Sequence, residues 1–354
     1  MGKLKVGMVG TGGIFQYAHL PAYEKHPEIE IAAVCDTQEE RAKALAERLG
    51  LERYYTDYRT MLAEEELDLI NICTPNAFHA EIAIAALQAG KHVFCEKPDA
   101  MNPSEVRSMS EATKVADKTL MVMRNNRFRS SSSFLKSYIE QGLLGEIYTG
   151  RCGWVRSRGI PGKGGWFTTK ALSGGGPLID LGVHFIDLAV WLMGNPQPVS
   201  VVGATYRKFA ETDMADSAHS GFGDAQANGV FDVEDLATGF IRFDNGASLQ
   251  IEFSWASNIE EEHHFVELRG TRAGASLKNH QLKLISEFDG VLLDSVPRLP
   301  KDQGGHTENI NHFIDVVQGR KQPIFTPDQG VDMIDIISAI YKSAETGVEV
   351  RLKP

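Results

Sequence analysis

Short runs of valine, isoleucine and leucine alternate with longer amphipathic segments along the first third of the chain. The apolar runs lack an alternating polar position, which is typical of strands buried on both faces of a parallel sheet. The amphipathic segments carry helix-start and helix-stop signals, such as Asn102-Pro103 and Gly90. We therefore predict a doubly wound α/β fold. The predicted strands are Leu4–Val9, Ile29–Val34, Leu69–Cys73, His92–Cys95 and Leu120–Met123, and the predicted helices are Ile14–Lys25, Gln38–Leu49, Phe78–Ala89 and Pro103–Asp117.

The pattern changes after Arg124. Helical spacing predicts helices over Phe134–Gln141 and Leu178–Met193, with a strand near Ile147–Val155 between them. From Val199 to Ile285 the segments are extended, often alternate hydrophobic and polar positions, and are joined by turns. Such alternation is typical of an antiparallel sheet with one open face. We therefore predict an α+β region with a large, open, mainly antiparallel sheet.

The change of pattern suggests two domains, over residues 1–124 and 125–354. Residues 210–229 are small, polar and unpatterned, which predicts a long loop that is either mobile or a lid. A helix over residues 328–344 closes the chain and could pack back on the first domain.

Composition narrows the class of protein. The chain has 354 residues, 42% of them hydrophobic and 23% charged, with a net charge of −11. This acidity argues against a nucleic-acid partner. No apolar run approaches a membrane span and no signal peptide is recognisable, so a cytoplasmic location is expected. The four cysteines are widely spaced, without a CxxC pair, which predicts neither a metal site nor a disulfide framework.

The stretch "GMVGTGGIF" places Gly10 and Gly12 between the first predicted strand and helix. A dinucleotide-binding turn needs glycines there, because the backbone must turn tightly and approach a pyrophosphate at the helix N-terminus. The third position of that fingerprint is Phe15 instead of glycine or alanine, so helix and strand must pack differently beside it.

The second strand is followed by Asp36. A carboxylate at that place accepts hydrogen bonds from the adenosine ribose and repels a 2′-phosphate. This favours NAD over NADP. A structural alternative is that Asp36 caps the helix that begins near Gln38, and the two roles can coexist.

Chemically active residues also follow the next two strands. Thr74 and Pro75 end one strand, and Glu96 and Lys97 end another, at the carboxyl edge where doubly wound sheets bind ligands. Burying two charges costs several kcal/mol unless each has a partner. We therefore predict that Lys97 faces the ligand crevice, the alternative being a solvated loop ion pair.

Four motifs, in order and spacing, resemble one family. They are "GTGGIFQYAHLPAY", "TPNAFHAEIAIAALQAGKHVFCEKP", "NNRF" and "GGGPLIDLGVHFIDLAVWLMG". The chain is similar over its whole length to the glucose–fructose oxidoreductase, inositol dehydrogenase and rhizopine-catabolism (Gfo/Idh/MocA) family. The resemblance implies a Rossmann domain, a second domain whose open sheet often forms dimer or tetramer contacts, and nicotinamide-dependent redox chemistry on sugars and cyclic polyols.

The matching family positions imply three catalytic residues: Lys97, Asp180 and His184. Asp180 and His184 are four positions apart and would share one helix face, although such a pair is more often structural in an unrelated protein. Histidine titrates near neutrality and suits a general base that accepts a hydroxyl proton. Lys97 would stabilise the developing alkoxide, and Asp180 would orient either residue. Whether Lys97 or His184 finally accepts the proton stays open.

Each of the remaining site predictions has a structural alternative. Arg127 could be a domain-linking ion pair, His79 could cap the following helix, and the loop that carries Arg156 and Trp166 could simply be solvated. The predicted cofactor-binding residues are Gly10, Gly12, Gly13, Ile14, Phe15, Asp36, Thr74, Pro75, Asn76, His79, Glu96 and Lys97. The predicted substrate-binding residues are Lys97, Arg127, Arg156, Trp166, Asp180 and His184.

Together these features predict an NAD-dependent dehydrogenase that acts on a ring hydroxyl of a sugar or glycoside, with C3 of a pyranoside as the first position to test. An inositol dehydrogenase is the nearest alternative. A redox-assisted, NAD-dependent glycosidase and a non-catalytic NAD-binding regulator are further alternatives. The expected partners are a small sugar or polyol and further copies of the chain, in a homodimer or homotetramer.

Overall fold

The structure is a computed structural model that describes residues 2–215, 217–302 and 304–352. The chain forms two compact units. The first contains Met1–Asn125 and Gln303–Val331, and the second contains Asn126–Asp302 and Asp332–Pro354. The domain bounds 1–124 and 125–354 stay a prediction, because compactness alone does not show that a segment folds by itself.

The first unit is built on a parallel sheet. Its strands are β1 (Leu4–Val9), β2 (Ile29–Cys35), β3 (Leu69–Ile72), β4 (His92–Cys95) and β5 (Leu120–Val122). They pair in the order β2-β1-β3-β4-β5. Every residue of β3 is buried, as predicted for a strand without hydrophobic–polar alternation. The doubly wound fold class is therefore confirmed. The order reverses between β1 and β3, which makes the carboxyl ends of these strands the ligand-binding place in such sheets.

The α-helices of the first unit show two departures from the prediction. They are α1 (Leu20–Lys25), α2 (Glu39–Leu49), α3 (Tyr58–Glu64), α4 (His79–Gln88), α5 (Pro103–Ala116) and α9 (Gly305–Val317). Residues Phe15–His19, predicted as α-helix, form a π-helical turn before α1. Helices α3 and α9 were not predicted. Helix α9 follows Gly304, which provides no side-chain cap, so its start has no sequence signal.

The second unit contains a nine-stranded sheet. Its strands are β6 (Ile147–Val155), β7 (Pro198–Tyr206), β8 (Leu236–Phe243), β9 (Ser248–Ser254), β10 (His263–Gly270), β11 (Ala273–Lys278), β12 (Gln281–Phe288), β13 (Val291–Ser295) and β14 (Val350–Arg351). The order is β13-β12-β11-β10-β6-β9-β8-β7-β14, and only β6 and β9 pair in parallel. The prediction of a mainly antiparallel sheet is confirmed. Its alternation is clearest in β9, where Leu249 and Ile251 are buried and Gln250 and Glu252 are exposed.

The α-helices of the second unit begin with α6 (Ser130–Glu140), four residues before the predicted start. The others are α7 (Lys170–Ser173), α8 (Val183–Leu192) and α10 (Pro327–Thr346), which continues from the first unit. A π-helical turn, Leu178–Gly182, precedes α8. The segment Lys170–Leu192 is long and apolar enough to cross a membrane by composition, but 94% of its most apolar window is buried inside the protein. That burial is typical of a core helix.

The predicted loop at residues 210–229 packs against the Gly-rich stretch before α7. A Cβ on Gly164 would lie 2.1 Å from the Gln226 carbonyl oxygen, and one on Gly229 would lie 2.0 Å from the Gly164 carbonyl oxygen. Lys163 donates to the carbonyl of Thr212 at 2.7 Å. The two backbones therefore touch, and glycine is required where they do. The loop's role as a lid stays a prediction.

Candidate functional site

The Gly-rich turn lies at the reversal point of the parallel sheet. Gly10 follows β1 with a φ of +84°, and its amide donates to the carbonyl of Cys35 at 2.9 Å. A Cβ on Gly10 would lie 2.6 Å from the carbonyl carbon of Cys73 and 2.8 Å from the Thr74 nitrogen. Glycine is therefore required by both the backbone angle and the close approach. Gly13, in contrast, is exposed, and a Cβ there would meet no described atom within 4 Å.

Asp36 fastens this turn to the end of β2. One carboxylate oxygen accepts hydrogen bonds from the backbone amide and the hydroxyl of Thr11, both at 2.9 Å. The other oxygen accepts from the amide of Gln38, also at 2.9 Å. Gln38, and not Asp36, is the N-cap residue of α2, so the predicted capping role of Asp36 is wrong. A carboxylate has about four acceptor positions, which leaves room for a ribose hydroxyl. Arg41 lies 4.0 Å away and partly balances the charge.

The end of β3 provides an open donor for a ligand. The Thr74 hydroxyl oxygen is buried and has no hydrogen-bond partner among the described residues. Buried hydroxyls are rarely left unsatisfied, so this group is suited to a bound polar ligand. Together with the open side of Gly13 and the Asp36 carboxylate, it fits the predicted dinucleotide.

His79 connects two loops. Its ring is fully buried, with Nδ1 at 2.8 Å from the carbonyl oxygen of Pro98 and Nε2 at 3.0 Å from that of Thr74. Burial lowers the pKa of His79, although the two carbonyl groups oppose the shift. Both ring nitrogens therefore contact backbone oxygens beside the site. The local alternative, a cap on α4, is absent, since neither ring nitrogen contacts a backbone amide of that helix.

The charged pair after β4 is partnered inside the first unit. Glu96 is buried; one oxygen lies 2.7 Å from Nε2 of His19, and the other accepts from the Lys97 backbone amide at 3.0 Å. His19 is fully buried, and its Nδ1 contacts the Asn71 side-chain oxygen at 2.8 Å. That oxygen also accepts from the Tyr23 hydroxyl at 3.2 Å.

Both ring nitrogens of His19 thus face side-chain acceptors, one of them a carboxylate, which favours the imidazolium. Burial would lower the pKa of His19, but contacts with Cys73 and Glu96 outweigh it and raise that pKa well above its usual value. Burial would raise the pKa of Glu96, but His19 holds it well below its ordinary range. The carboxylate of Glu96 therefore fixes the backbone of Lys97, a function that the sequence did not indicate.

Three other predicted cofactor residues are placed by local structure. Phe15 is fully buried at the start of the π-helical turn, so its side chain belongs to the core and only its backbone can face a ligand. Ile14 is the half-buried residue before that turn, and Pro75 directly precedes a short 3₁₀ turn that begins at Asn76. Asn76 is buried.

In the second unit, Asp180 lies in the π-helical turn that precedes α8. It is 9% exposed, and one of its oxygens accepts a 2.9 Å hydrogen bond from the indole nitrogen of Trp255, which is fully buried. A π-helical turn is wider than an α-helical one and is frequent at functional sites. The regular α-helix that was predicted over this position is therefore wrong in detail, although both Asp180 and His184 lie on one continuous helical segment.

His184 lies in the first turn of α8 and is half-buried. Its ring centroid lies 6.3 Å from that of Trp154 on β6. The Asn126 side-chain amide approaches the His184 carbonyl oxygen at 3.5 Å. The imidazole is therefore next to an aromatic wall on one side, with its backbone held from another.

Arg127 forms a buried ion pair. It is 1% exposed and binds Asp187 with two hydrogen bonds, at 2.9 and 2.7 Å. Asp187 is also buried, and both residues lie in the second unit. The two bonds come from Nε and one terminal nitrogen and bind both oxygens of the carboxylate, which is the bidentate geometry typical of such pairs. The structure therefore supports the ion-pair alternative for Arg127, within one unit instead of across two.

The loop that carries Arg156 and Trp166 places these two side chains in different surroundings. Arg156 is buried over the Trp154 ring at 4.4 Å, and its Nε has no partner among the described residues. Burial lowers the pKa of Arg156 to about 10, while Asp180 and Glu262 act in the opposite direction. The charge of Arg156 therefore interacts with that of Asp180. Trp166 is half-buried and stacks on Phe167 at 3.8 Å.

The described residues contain no group of three or more possible metal-binding side chains. The four cysteines are buried and not in disulfides. His264 packs its ring against Phe185 and His280, at 5.0 and 4.2 Å between ring centroids.

The first unit holds the predicted cofactor residues with Lys97, and the second holds Asp180 and His184.

Comparison with known proteins gives matches for both units. Residues 4–124 match the GFO/IDH/MocA model described as "Oxidoreductase family, NAD-binding Rossmann fold", and residues 133–276 match the GFO/IDH/MocA C-terminal domain. A D-glucoside 3-dehydrogenase of Escherichia coli is 35% identical over 350 residues, 99% of this chain and 97% of that protein. A solved levoglucosan dehydrogenase in complex with NADH is 26% identical, with a TM-score of 0.85 and 99% coverage of both chains. A myo-inositol 2-dehydrogenase of Thermotoga maritima is 31% identical over 193 residues, 54% of this chain and 55% of that protein.

We expect Gly10→Ala to destabilise the first unit by about 1–3 kcal/mol and to weaken NADH binding at least about tenfold, because of the backbone contact and the positive φ. The matched control is Gly13→Ala, whose Cβ has space, so its melting temperature should stay at the wild-type value. Thermal unfolding and NADH fluorescence titration measure both effects. Equal melting temperatures for the two variants would contradict the close approach.

We expect Arg127→Met to lower the free energy of unfolding by about 3–5 kcal/mol, because it leaves the Asp187 carboxylate buried without its partner. The double variant Arg127→Met with Asp187→Leu should recover most of that loss. Urea unfolding measures the free energy, and Arg242→Met, which removes an exposed ion pair with Glu349, is the control that should not change it. A stable Arg127→Met protein with a raised substrate KM would show instead that Arg127 contacts the substrate.

Proposed function

The chain belongs to the GFO/IDH/MocA family of NAD-binding oxidoreductases, as the motifs predicted, and from that premise we propose which reaction it performs. The proposed reaction transfers hydride between NAD and a ring secondary alcohol of a sugar or glycoside, with C3 of a pyranoside as the position oxidised. The observation that carries the substrate class is the full-length similarity to a D-glucoside 3-dehydrogenase. The NADH complex of a levoglucosan dehydrogenase, a protein of similar fold, supports the same class.

The residues that would hold NAD are those of the Gly-rich turn with Asp36 and Thr74. The turn brings backbone amides to a helical N-terminus, which suits a pyrophosphate. Asp36 would accept from the adenosine ribose, and the Thr74 hydroxyl would gain the partner that it lacks within the described chain. When bound, NAD supplies the hydride acceptor. Glu96 contacts His19 with one oxygen and the Lys97 backbone amide with the other, so we assign it the further role of holding Lys97.

Proton transfer is assigned to His184, with help from Lys97 and Asp180. His184 would accept the hydroxyl proton during oxidation and return it during reduction, a step that general bases accelerate by roughly 10²–10⁴-fold. The Lys97 ammonium would stabilise negative charge on the reacting oxygen. Asp180, held by Trp255, would orient the substrate or the neighbouring base. That these three residues act on one substrate is part of the proposal, since Lys97 belongs to the other unit.

An inositol dehydrogenase remains the second candidate. It is supported by the similarity to a myo-inositol 2-dehydrogenase, but that similarity covers about half of each chain, against nearly the full length for the glucoside enzyme.

Product analysis separates two further alternatives from a dehydrogenase. A redox-assisted glycosidase releases aglycone without net NADH, and a regulator binds NADH without turnover.

We also propose a homodimer or homotetramer in the cytoplasm. The nine-stranded sheet exposes large apolar side chains that a monomer leaves in water. They include Tyr148, Val202 and Tyr206 on the sheet, and Phe288, Val291 and Leu292 on its last hairpin. Sedimentation of the purified chain would reveal the oligomeric state.

We expect NAD reduction, followed at 340 nm, with methyl glucosides and levoglucosan and a lower rate with myo-inositol. Lys97→Ala and His184→Ala should each lose at least about 10²-fold in kcat/KM, because each removes a group that meets charge or a proton in the transition state. NADH titration is the control, and His184→Ala should bind NADH as the wild type does. Near-normal rates in both variants would remove these residues from the mechanism.

We expect the wild type to prefer NAD over NADP. Asp36→Asn should raise the KM for NAD roughly tenfold, since it loses charge-assisted hydrogen bonds, and should lower the preference for NAD because the repulsion of a 2′-phosphate disappears. The ratio of kcat/KM for the two cofactors measures this preference. Asp117→Asn, at the exposed end of α5, is the matched control. An unchanged ratio in Asp36→Asn would assign Asp36 to the turn alone.

A further inference from the structure

A buried glutamate, Glu234, lies at the start of the helical segment that carries Asp180. One oxygen of Glu234 accepts from the Gly176 amide at 2.9 Å. The other accepts from the Leu178 amide at 3.1 Å and from the Tyr341 hydroxyl at 2.8 Å. The amides at a helix start have no partners within the helix, so the carboxylate satisfies two of them. All of these residues belong to the second unit.

The two glycines before the helix pack closely against Glu234 and Tyr341, with no space for a side chain. A Cβ on Gly176 would lie 2.0 Å from the Glu234 carbonyl oxygen, and one on Gly175 would lie 2.0 Å from the Tyr341 hydroxyl. The amide of Asp180 in turn donates to the Gly176 carbonyl at 3.0 Å. The position of Asp180 along the helix axis therefore follows directly from where Glu234 holds Gly176.

A second link reaches the Asp180 side chain from the residue next to Glu234. The carbonyl of Asp235 accepts from the Trp255 backbone amide at 2.9 Å. The indole nitrogen of the same tryptophan donates to Asp180 at 2.9 Å. Two separate chains of hydrogen bonds thus connect Asp180 to the Glu234-Asp235 pair. One reaches the backbone of Asp180 and the other reaches its side chain.

We propose that Glu234 is a positioning residue for the reaction, which sets the height and orientation of Asp180 and, one turn later, of His184. The inference rests on the proposed function of those two residues. A carboxylate is costly to bury, and burial raises the pKa of Glu234, against the opposing effect of its backbone and Tyr341 partners. A neutral residue would fill the space at a lower cost. The carboxylate is the group that can accept from two diverging amides at once.

Glu234→Gln tests the inference because it keeps the shape of the side chain. A carboxamide has one acceptor oxygen, so its NH₂ group would face one of the two amides. We expect kcat for oxidation of a methyl glucoside to fall roughly 10–100-fold, as small misplacements of catalytic groups do. The KM for NAD and the NADH affinity should stay unchanged, because the predicted NAD residues lie in the other unit.

The decisive measurement is the primary deuterium isotope effect on kcat, with a methyl glucoside that carries deuterium at C3. If Glu234 positions the reacting groups, hydride transfer becomes slower and the isotope effect rises in Glu234→Gln. A lower fraction of folded enzyme would reduce kcat and leave the isotope effect at the wild-type value. Glu234→Asp, which keeps the charge on a shorter side chain, should recover part of the rate.

Two controls make each outcome decisive. Glu349→Gln changes an exposed glutamate of the same unit and should leave kcat unchanged. Tyr341→Phe removes one partner of Glu234 but neither backbone contact, so its kcat should fall less than that of Glu234→Gln. Wild-type kcat or an unchanged isotope effect in Glu234→Gln would overturn the inference while an inactive His184→Ala still supports the proposed function. An active His184→Ala would overturn the proposed function and the inference that rests on it.

Discussion

A charged group that leaves water must find partners, and this constraint organises both halves of the candidate site. Glu96 meets the imidazolium of His19 and a backbone amide. Arg127 meets both carboxylate oxygens of Asp187 through Nε and one terminal nitrogen of its guanidinium group. In each case, removing one partner would leave an uncompensated buried charge, which is far less stable than the intact pair. The ion pairs therefore hold their neighbourhoods to one geometry, and the residues assigned to catalysis are attached to these fixed points.

The need to pair buried polar groups also explains why glycine occupies two turns of the chain. At Gly10 the turn approaches the end of β3 so closely that a side chain would meet the backbone of Cys73. At Gly176 the chain approaches Glu234 just as closely. Both turns lead into a π-helical segment, Phe15–His19 in one unit and Leu178–Gly182 in the other. Close backbone packing thus presents helix-start amides to an acidic group in each unit: a predicted pyrophosphate in the first and a glutamate of the chain itself in the second.

The fold could be predicted closely where the signal is local. Buried strands such as β3 and β4 were found within a residue or two, because they lack the regular hydrophobic–polar alternation of a strand with one open face. The π-helical turns were read as α-helix, since the two share the same hydrophobic pattern over so short a length. The site was predicted only as far as motifs reach. His19 and Glu234 escaped because their partners are distant in sequence, and a single buried acid or histidine has no periodicity. The only hint was the acidic pair Glu234-Asp235 directly before an apolar strand.

The order of Glu96 and Lys97 illustrates how such distant partners decide a residue's role. A glutamate next to a lysine suggests a simple ion pair between neighbours, which was the alternative to a lysine that faces the ligand crevice. Glu96 instead uses one oxygen for His19 and the other for the Lys97 backbone amide. The two hydrogen bonds fix the main chain from which the lysine side chain extends. The Glu96 carboxylate holds this backbone, and the buried imidazolium balances its charge. The main-chain position from which the Lys97 side chain extends is therefore fixed. That is the condition under which an ammonium group can stabilise charge at one particular oxygen.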